Sequence, residues 1–293
     1  MSSPLKAMQS HGVQLLTATE REAGQRLDNA LFRLFKTLPK SRLYRLMRKG
    51  ELRVNKKRVN PDYRLMEGDI IRVPPLDLVE RETEVLKLNS QQLAWAKEAV
   101  IAEEADFLVV NKPVGLSVHA GSDTKAGVIE ILRLARPDLK FIELAHRLDR
   151  DTSGCLLIAK KPSALKVFHK MLRERDSIQK TYLLQVKGLW PKRLNRVDFP
   201  IEGKASLTTF QIVEAKNHTT KLKAILHTGR QHQIRIHCQK AGFPIIGDAK
   251  YGDFTFNREY AKQTGIKRMF LHALKLEFVW QDEKYQFTAE ASF

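Results

Sequence analysis

The sequence has 293 residues and a formal net charge of +18, with 51 Lys and Arg against 33 Asp and Glu. This length fits one large domain or two ordinary ones. No apolar run approaches the roughly 20 residues of a membrane span, residues 1–12 lack the apolar segment of a signal peptide, and two cysteines do not make a disulfide framework. The composition therefore indicates a folded cytoplasmic protein that binds a polyanion, with its chemistry still open.

Residues 1–25 carry no core pattern and are predicted to be a flexible N-terminus. A basic segment follows, because residues 26–73 hold 14 Lys and Arg against five Asp and Glu. Apolar residues at helical spacing predict a helix over 26–38, and a second helix is expected between an N-cap at Ser41 and Gly50. Short strands are predicted after it, at 52–54, 57–59 and 70–73, with a turn at 55–56.

Basic side chains line one face of the second helix and continue into the turn that follows it. Charge runs are usually solvated surfaces, but a shared face suits a track of phosphates better. The order of these elements, with "SRLYRLMRKGELRVNKKRV" at its centre, resembles the S4-like RNA-binding domain. The resemblance implies such a domain over residues 26–75. The residues expected to bind RNA are Arg42, Arg45, Lys49, Lys56, Lys57 and Arg58.

The segment 76–98 is predicted to be a linker, because Pro74 and Pro75 favour extended backbone and a charged run without a core pattern follows. A second domain is expected over 99–293. Alternating apolar and polar residues predict several strands in it, the one around Tyr182 among them. Because few helices separate these strands, the pattern indicates a mainly antiparallel mixed sheet and an α+β fold, preceded by the small α+β domain.

The stretch 145–160 carries the strongest chemical signal. Polar residues lead to Gly154 and then to an apolar run, which predicts a buried strand with Asp149 in the loop before it. By composition alone a salt-bridged surface turn is the commoner interpretation. The order His-Arg-Leu-Asp-x-x-Thr-Ser-Gly, however, resembles the signature loop of the RluA family of pseudouridine synthases. The resemblance implies that Asp149 is the catalytic carboxylate, and that Arg147 fills the space of the flipped uridine, with His146 also contacting substrate.

Two further motifs follow in the order that the family has them. Lys180-Thr181-Tyr182 resembles the second motif, which implies that the ring of Tyr182 stacks on the uracil and that its hydroxyl assists proton removal; a tyrosine packed in the core is the alternative. Residues 228–237 read "TGRQHQIRIH" and resemble the third motif. There Arg235 is expected to pair with Asp149, with Arg230 as the second choice, and Lys180 and Arg230 are expected to contact substrate.

No cofactor is expected, because isomerising a uridine involves no redox change. No metal is expected either. His232, His237 and Cys238 are zinc-ligand types, but their spacing fits no recognised ligand set.

The resemblance implies isomerisation of specific uridines to pseudouridine in the 23S RNA of the large ribosomal subunit. The expected partner is that RNA or its assembly intermediates, the expected state is a monomer, and no membrane is involved. One alternative is a pseudouridine synthase acting on tRNA. Another is a non-catalytic RNA-binding or ribosome-assembly protein, for which the charge would suffice. A hydrolytic enzyme would need a second carboxylate, and Asp151 is its only candidate.

Overall fold

The computed structural model describes residues 12–20, 22–35, 38–76, 88–121, 126–174, 177–291 and 293. They belong to two compact units, one within residues 1–85 and the other within 86–293. The predicted linker residues 77–87 lie outside the described residues, as do residues 1–11 of the predicted flexible N-terminus.

The first unit is a small α+β domain. In the described residues it contains β1 (Gln14–Thr17), α1 (Leu27–Leu34), α2 (Lys40–Lys49), β2 (Arg53–Val54) and β3 (Ile70–Val73). The strands form an antiparallel sheet in the order β1-β3-β2. Both helices bury their apolar faces against this sheet, with Leu31, Leu43 and Ile71 among the residues at or near zero exposure. The amphipathic spacing of the sequence therefore gives this domain its core.

Two expectations for this unit are corrected. Residues 14–17 of the segment predicted to be flexible form strand β1. This strand is ordered, because it pairs with β3 and buries Leu16. Four residues are too short for a sequence pattern to stand out. Ser41 is not the N-cap of α2, because the helix begins at Lys40 and Pro39 occupies the N-cap position. Gly50 ends α2 in the left-handed conformation, with φ 71°, as a C-terminal glycine does.

The second unit is larger and mixes helices with a long sheet. Its described helices are α3 (Ser90–Glu98), α4 (Val128–Ala135), α5 (Pro162–Met171), α6 (Gln233–Lys240) and α7 (Phe254–Thr264). Its described strands are β4 (Val100–Glu103), β5 (Phe107–Lys112), β6 (Glu143–Leu144), β7 (Ser153–Ala159), β8 (Ile178–Lys187), β9 (Arg196–Val197), β10 (Thr208–Lys216), β11 (Thr219–Leu226), β12 (Leu271–Trp280) and β13 (Glu283–Thr288). Helix α3 lies within the segment predicted as linker and contacts α4.

Within the described residues the strands of this unit form one sheet, whose main path runs β4-β5-β7-β12-β8-β11-β10-β9. Strand β12 is parallel to β7 and antiparallel to β8, and the other pairs are antiparallel. The predicted α+β class and mainly antiparallel mixed sheet are thus confirmed. Strand β12 joins two parts of the sheet that come from separate stretches of the chain.

One row of residues crosses the centre of this sheet. Gly154 of β7 pairs with Ala273 of β12, Ala273 also pairs with Tyr182 of β8, and Tyr182 pairs with Ala224 of β11. The two alanines leave room beside the tyrosine ring, because they carry only a methyl group. The row therefore aligns the end of the loop that holds Asp149 with Tyr182.

No helix in the described part of the chain is both long enough and apolar enough to cross a membrane.

Candidate active site

Asp149 lies in the loop between β6 and β7, and backbone contacts hold this loop. The N–H of Thr152 donates to the carbonyl of Asp149 at 3.1 Å, and the N–H of Gly115 donates to the carbonyl of Arg150 at 2.9 Å. The ammonium of Lys112, which is fully buried, donates to the carbonyls of Pro113, Leu116 and Arg150 at 2.7–2.9 Å. The loop of residues 113–116 is thereby fixed to the loop of Asp149.

Burial lowers the pKa of Lys112 to about 7, against the opposing effect of the nearby carboxylates of Asp151 and Asp149. Its three carbonyl contacts are those of an ammonium group. Lys112 therefore ties two loops together from the interior, and the three carbonyls satisfy the donors of its buried side chain.

Gly154 follows the loop and meets β12 at very short range. Its φ is +109°, and a Cβ atom at this position would lie 2.2 Å from the carbonyl oxygen of Ala273. Only glycine combines this backbone conformation with so close an approach. The Asp149 loop is therefore anchored directly on the backbone of a central strand.

Arg235 extends from the first turns of α6 to the carboxylate of Asp149. Its Nη1 donates to Oδ2 of Asp149 at 2.9 Å, and the side chain is 8% exposed. Its Nε and Nη2 donate to the two oxygens of Asp248 at 2.7 and 2.8 Å. One guanidinium thus joins two carboxylates, which fixes both its plane and the direction of the bond to Asp149.

Asp248 is fully buried and has four donors around it. Besides Arg235, the backbone N–H groups of Lys250 and Tyr251 donate to its Oδ1 at 2.8 and 2.9 Å. Burial alone would raise the pKa of Asp248, but these hydrogen bonds outweigh it and lower the pKa. Burial would likewise lower the pKa of Arg235, whereas its hydrogen bonds to Asp248 and Asp149 raise it. In the chain Asp149–Arg235–Asp248, the guanidinium and the buried carboxylate of Asp248 are therefore both charged.

The turn before α6 is fixed by the buried side chain of Gln233. Its Oε1 accepts from the N–H of Arg230 at 3.0 Å and from the hydroxyl of Thr228 at 2.7 Å. Its Nε2 donates to the carbonyl of Leu207 at 3.0 Å. Nε2 also donates to the hydroxyl of Thr208 at 3.0 Å, which connects the turn to the start of β10, so that the helix carrying Arg235 begins in a defined place.

His232 occupies the N-cap position of α6, and its ring approaches the oxygen of Asp149 that Arg235 does not contact. Its Nε2 is 3.7 Å from Oδ1 of Asp149. Its Nδ1 is 3.0 Å from the hydroxyl oxygen of Tyr251, whose ring also lies 5.1 Å from the guanidinium carbon of Arg235. Tyr251 therefore contacts both residues that approach the carboxylate.

Tyr182 lines the same cavity as Asp149, Arg235 and His232, which has a volume of about 430 Å³. The tyrosine is 6% exposed. Burial, and then the charge of Asp149, raises the pKa of Tyr182 above its ordinary value, so its hydroxyl is protonated at neutral pH. Lys180 also lines the cavity, and burial lowers its pKa.

The other predicted substrate contacts lie around the cavity in different roles. Arg147 is exposed and lines it. His146 lines it too, but its Nε2 accepts from the N–H of Leu157 at 3.2 Å, and burial lowers its pKa to about 3. Arg230 does not make the pair considered as a second choice, because its Nε donates to the carbonyl of Ala205 at 3.2 Å. The arginine paired with Asp149 is Arg235.

The six residues predicted to bind RNA all lie in the first unit. Arg42 is half-buried, and the other five are exposed. Asn55 and Lys56, with φ 49° and 65°, form a tight turn whose flanking backbone bonds join Val54 and Lys57. This turn leaves Lys56 and Lys57 exposed to solvent, and Arg58 after it donates to the carbonyl of Arg48 in α2.

No group of three or more metal-ligating side chains occurs in the described residues. His237 has its Nε2 3.0 Å from both the Ser206 hydroxyl and the Phe199 carbonyl. It therefore has an internal role, and the zinc interpretation of His232, His237 and Cys238 lacks a ligand cluster.

Sequence reasoning did not assign Asp248, His232 and Tyr251 to the centre of the site. Residues 247–252, Gly-Asp-Ala-Lys-Tyr-Gly, match a further element of the family, from which only a structural or pocket-forming role is expected. The structure shows why a glycine precedes Asp248, since a Cβ on Gly247 would lie 1.9 Å from the carbonyl oxygen of Arg268.

Comparisons with known proteins agree with this site. Residues 106–240 match the RNA pseudouridylate synthase family, and residues 25–71 match the S4 domain. The ribosomal large subunit pseudouridine synthase C of Pasteurella multocida is 45% identical over 92% of this chain and 87% of that protein. The chain belongs to the RNA pseudouridylate synthase family. The protein of the same name from Escherichia coli K12 is also 45% identical, over 91% of this chain and 88% of its own length.

Two solved structures have a fold similar to that of this pseudouridine synthase. Human RNA Pseudouridylate Synthase Domain Containing 4 superposes with a TM-score of 0.57 at 21% identity, over 68% of this chain and 92% of that chain. Human RNA Pseudouridylate Synthase Domain Containing 1 superposes with a TM-score of 0.53 at 27% identity, over 67% of this chain and 84% of that chain. The family resemblance in the sequence, the S4 domain and pseudouridine synthase activity are thus confirmed, and they favour an enzyme over a non-catalytic RNA-binding protein.

Proposed function

We propose that this enzyme isomerises specific uridines to pseudouridine in the RNA of the large ribosomal subunit. The support is that relatives similar to it over nearly its whole length are named ribosomal large subunit pseudouridine synthase C, together with its S4 domain. We further propose that it acts as a monomer in the cytoplasm. Its substrate would be naked 23S RNA or an assembly intermediate, because its charge of +18 suits a large polyanion.

The proposal for the chemistry makes Asp149 the catalytic carboxylate. The observation that carries it is the ion pair of Asp149 with the buried Arg235 in a cavity shared with Tyr182. Breaking the glycosidic bond of uridine requires a carboxylate held in its charged form and aimed at the sugar and base. Arg235 supplies a cation beside the carboxylate and fixes its direction through the hydrogen bond to Oδ2.

Tyr182 and Arg147 are proposed to hold the substrate. The ring of Tyr182 would stack on the uracil for roughly 1–3 kcal/mol, independent of RNA sequence. Its hydroxyl is protonated at neutral pH, so it would donate a hydrogen bond and would not act as a phenolate base. The exposed Arg147 would take the space that the flipped uridine leaves in the RNA. Lys180, His146 and Arg230 would complete the substrate contacts.

Residues 26–75 are proposed to provide salt-dependent RNA affinity, and residues 99–293 to provide the chemistry. Arg42, Arg45, Lys49, Lys56, Lys57 and Arg58 would contact phosphates. This division predicts that loss of the first domain weakens RNA binding and leaves the catalytic residues in place.

The decisive experiment replaces Asp149 by Asn and measures pseudouridine in purified 23S RNA. Pseudouridine should fall below detection while RNA affinity stays unchanged, because the substitution removes one charge at constant size. Asp151→Asn is the matched control in the same loop, and it should keep full activity. An Asp149→Asn enzyme that still forms pseudouridine refutes the proposal, whereas release of free uracil that depends on Asp151 supports the hydrolytic alternative.

The RNA class is tested separately with the wild-type enzyme. Purified 23S RNA and purified tRNA are offered under the same conditions, and new pseudouridines are mapped in each. Modification of the ribosomal RNA is expected, and modification confined to tRNA would overturn the assignment of substrate.

A further inference from the structure

The carboxylate of Asp149 has one oxygen that Arg235 does not contact. Arg235 donates to Oδ2 at 2.9 Å, and Oδ1 faces the ring of His232, with the Nε2 nitrogen 3.7 Å away. This distance is longer than a hydrogen bond but short enough for one to form after a small movement. Catalytic hydrogen bonds are often long in the free enzyme and shorten when substrate is bound.

The position of His232 is fixed from two directions. Its backbone is left-handed, with φ 54° and ψ 24°, a conformation that histidine adopts more readily than bulky or branched residues do. Its Nδ1 is 3.0 Å from the hydroxyl oxygen of Tyr251, and the two rings meet edge to face with centroids 5.5 Å apart. The ring is therefore held with Nε2 towards the cavity.

These contacts assign the proton on the imidazole. A carboxylate oxygen facing Nε2 favours the tautomer that carries hydrogen there, because two lone pairs would otherwise oppose each other. Nδ1 then accepts, and Tyr251 donates its hydroxyl hydrogen to it. Tyr251 thus sets the tautomer of His232, as an orienting partner does for a catalytic histidine.

The surroundings of His232 keep it neutral at pH 7. Burial lowers its pKa below the ordinary value, and the positive charges of Arg235 and Lys250 act in the same direction. The carboxylates of Asp149 and Asp248 oppose them and do not reverse the shift. A neutral imidazole can donate to Asp149 without cancelling its charge.

We propose that His232, oriented by Tyr251, is a positioning residue that donates its Nε2–H to the free carboxylate oxygen of Asp149 when uridine is bound. This inference rests on the proposed role of Asp149 as the catalytic carboxylate. With donors on both oxygens, the carboxylate cannot rotate about its Cβ–Cγ bond, so it stays aimed at the uridine.

Two substitutions of His232 separate this role from a structural one. In His232→Asn the side-chain amide takes the place of Nδ1, so Tyr251 keeps its hydrogen-bond partner. Asparagine also tolerates the left-handed backbone, but it places no donor near Oδ1 of Asp149. We expect kcat to fall roughly 10- to 100-fold with KM unchanged, the effect of losing a hydrogen bond to a charged group. His232→Gln places an amide N–H near the position of Nε2, so it should restore most of kcat.

His218 provides the matched control. It is an exposed histidine in the turn between β10 and β11 with φ 61°, the same backbone conformation as His232. His218→Asn and His218→Gln should leave kcat unchanged. A loss of kcat that is equal in the His218 and His232 variants would assign the effect to the backbone and overturn the proposal.

A double-mutant cycle with Tyr251→Phe completes the test. The phenylalanine keeps the ring beside Arg235 and removes only the hydroxyl, so it should lower kcat by roughly 3- to 10-fold. In the His232→Asn enzyme the same change should have little further effect, because the two residues act as one unit. Independent, multiplicative losses would contradict the proposal.

The failure of this inference differs from failure of the proposed function. If Asp149→Asn is inactive and His232→Asn has wild-type kcat, only the role of His232 is wrong. If Asp149→Asn is active, the proposed function itself is wrong.

Discussion

The two units of this protein differ in how far their functional charged side chains are exposed to solvent. In the S4 domain, five of the six predicted RNA-binding residues are exposed, and a tight turn projects two of them into solvent. In the catalytic unit, the guanidinium of Arg235 is 8% exposed and joins two carboxylates, one of them fully buried. The first arrangement leaves charges accessible to phosphates, and the second holds a single charge in a fixed direction.

This difference follows from the physics of the two tasks. Binding a polyanion gains from counterion release, which needs positive charge near phosphates but little fixed geometry. Bond breaking at one uridine needs a carboxylate held within a fraction of an ångström, which only packed and hydrogen-bonded surroundings achieve. Substitutions in the two units should therefore change different measured quantities.

The largest effect is expected from Asp248→Asn. The substitution leaves the buried Arg235 with one carboxylate in place of two and sets an amide N–H against existing donors. We expect the free energy of unfolding to fall by about 3–5 kcal/mol. We also expect kcat of the folded enzyme to fall roughly 100-fold, as for a misplaced catalytic group, with RNA affinity unchanged. Calorimetry and single-turnover kinetics measure the two effects.

Asp253→Asn is the control for that experiment. Asp253 is in the same segment, caps α7 by accepting from the N–H of Phe256 at 2.9 Å, and pairs with Lys187. Asparagine is also a good N-cap, so activity should persist. If both variants lose activity to the same extent, the special role of the Asp149–Arg235–Asp248 chain is not supported.

A smaller effect, on affinity alone, is expected from Lys56→Ala combined with Lys57→Ala. If both lysines contact phosphates, the slope of log K against log salt should become shallower by roughly 1.4–1.8, with kcat unchanged. Lys166→Ala with Lys170→Ala removes the same charge from the exposed surface of α5 and should leave the slope as it is. Equal slopes for both double variants would mean that net charge, and not this turn, determines binding.

An effect that is absent at neutral pH concerns acid stability and His146. Burial lowers its pKa from 6.5 to about 3, and its Nε2 already accepts a hydrogen bond from Leu157. Below pH 6.5 the unfolded chain therefore gains a proton that the folded chain does not accept. Stability should fall by up to about 1.4 kcal/mol per pH unit between these two pKa values, and His146→Gln should make this dependence shallower. Urea unfolding at several pH values measures it, and an identical pH dependence in both proteins would contradict the prediction.

Local sequence pattern was enough to predict the elements that carry the site. Tyr182 alternates with polar neighbours along β8, and the apolar run after Gly154 is β7. The pair of Asp149 with Arg235, which are 86 residues apart, was expected only through the family resemblance, because spacing in one sequence cannot bring distant residues together.

Features without a local pattern were not predicted. Helix α7 has no fully buried residue, so it shows no apolar stripe for a periodicity argument to detect. In the sequence Asp248 looks like a turn residue. Its buried partner, Arg235, lies 13 residues earlier on another element, so no local pattern links the two. Tertiary contacts alone convert that aspartate from a solvated charge into a buried one.

The central place of β12 has a consequence for synthesis of the protein. Asp149 lies on the side of the sheet that is built first, and Tyr182 and Arg235 belong to the other side, with residues 271–280 between them. A nascent chain that has not yet reached this strand has all three side chains but no surface that aligns them. Catalytic competence should therefore appear late in translation, after most of the fold's local contacts have formed.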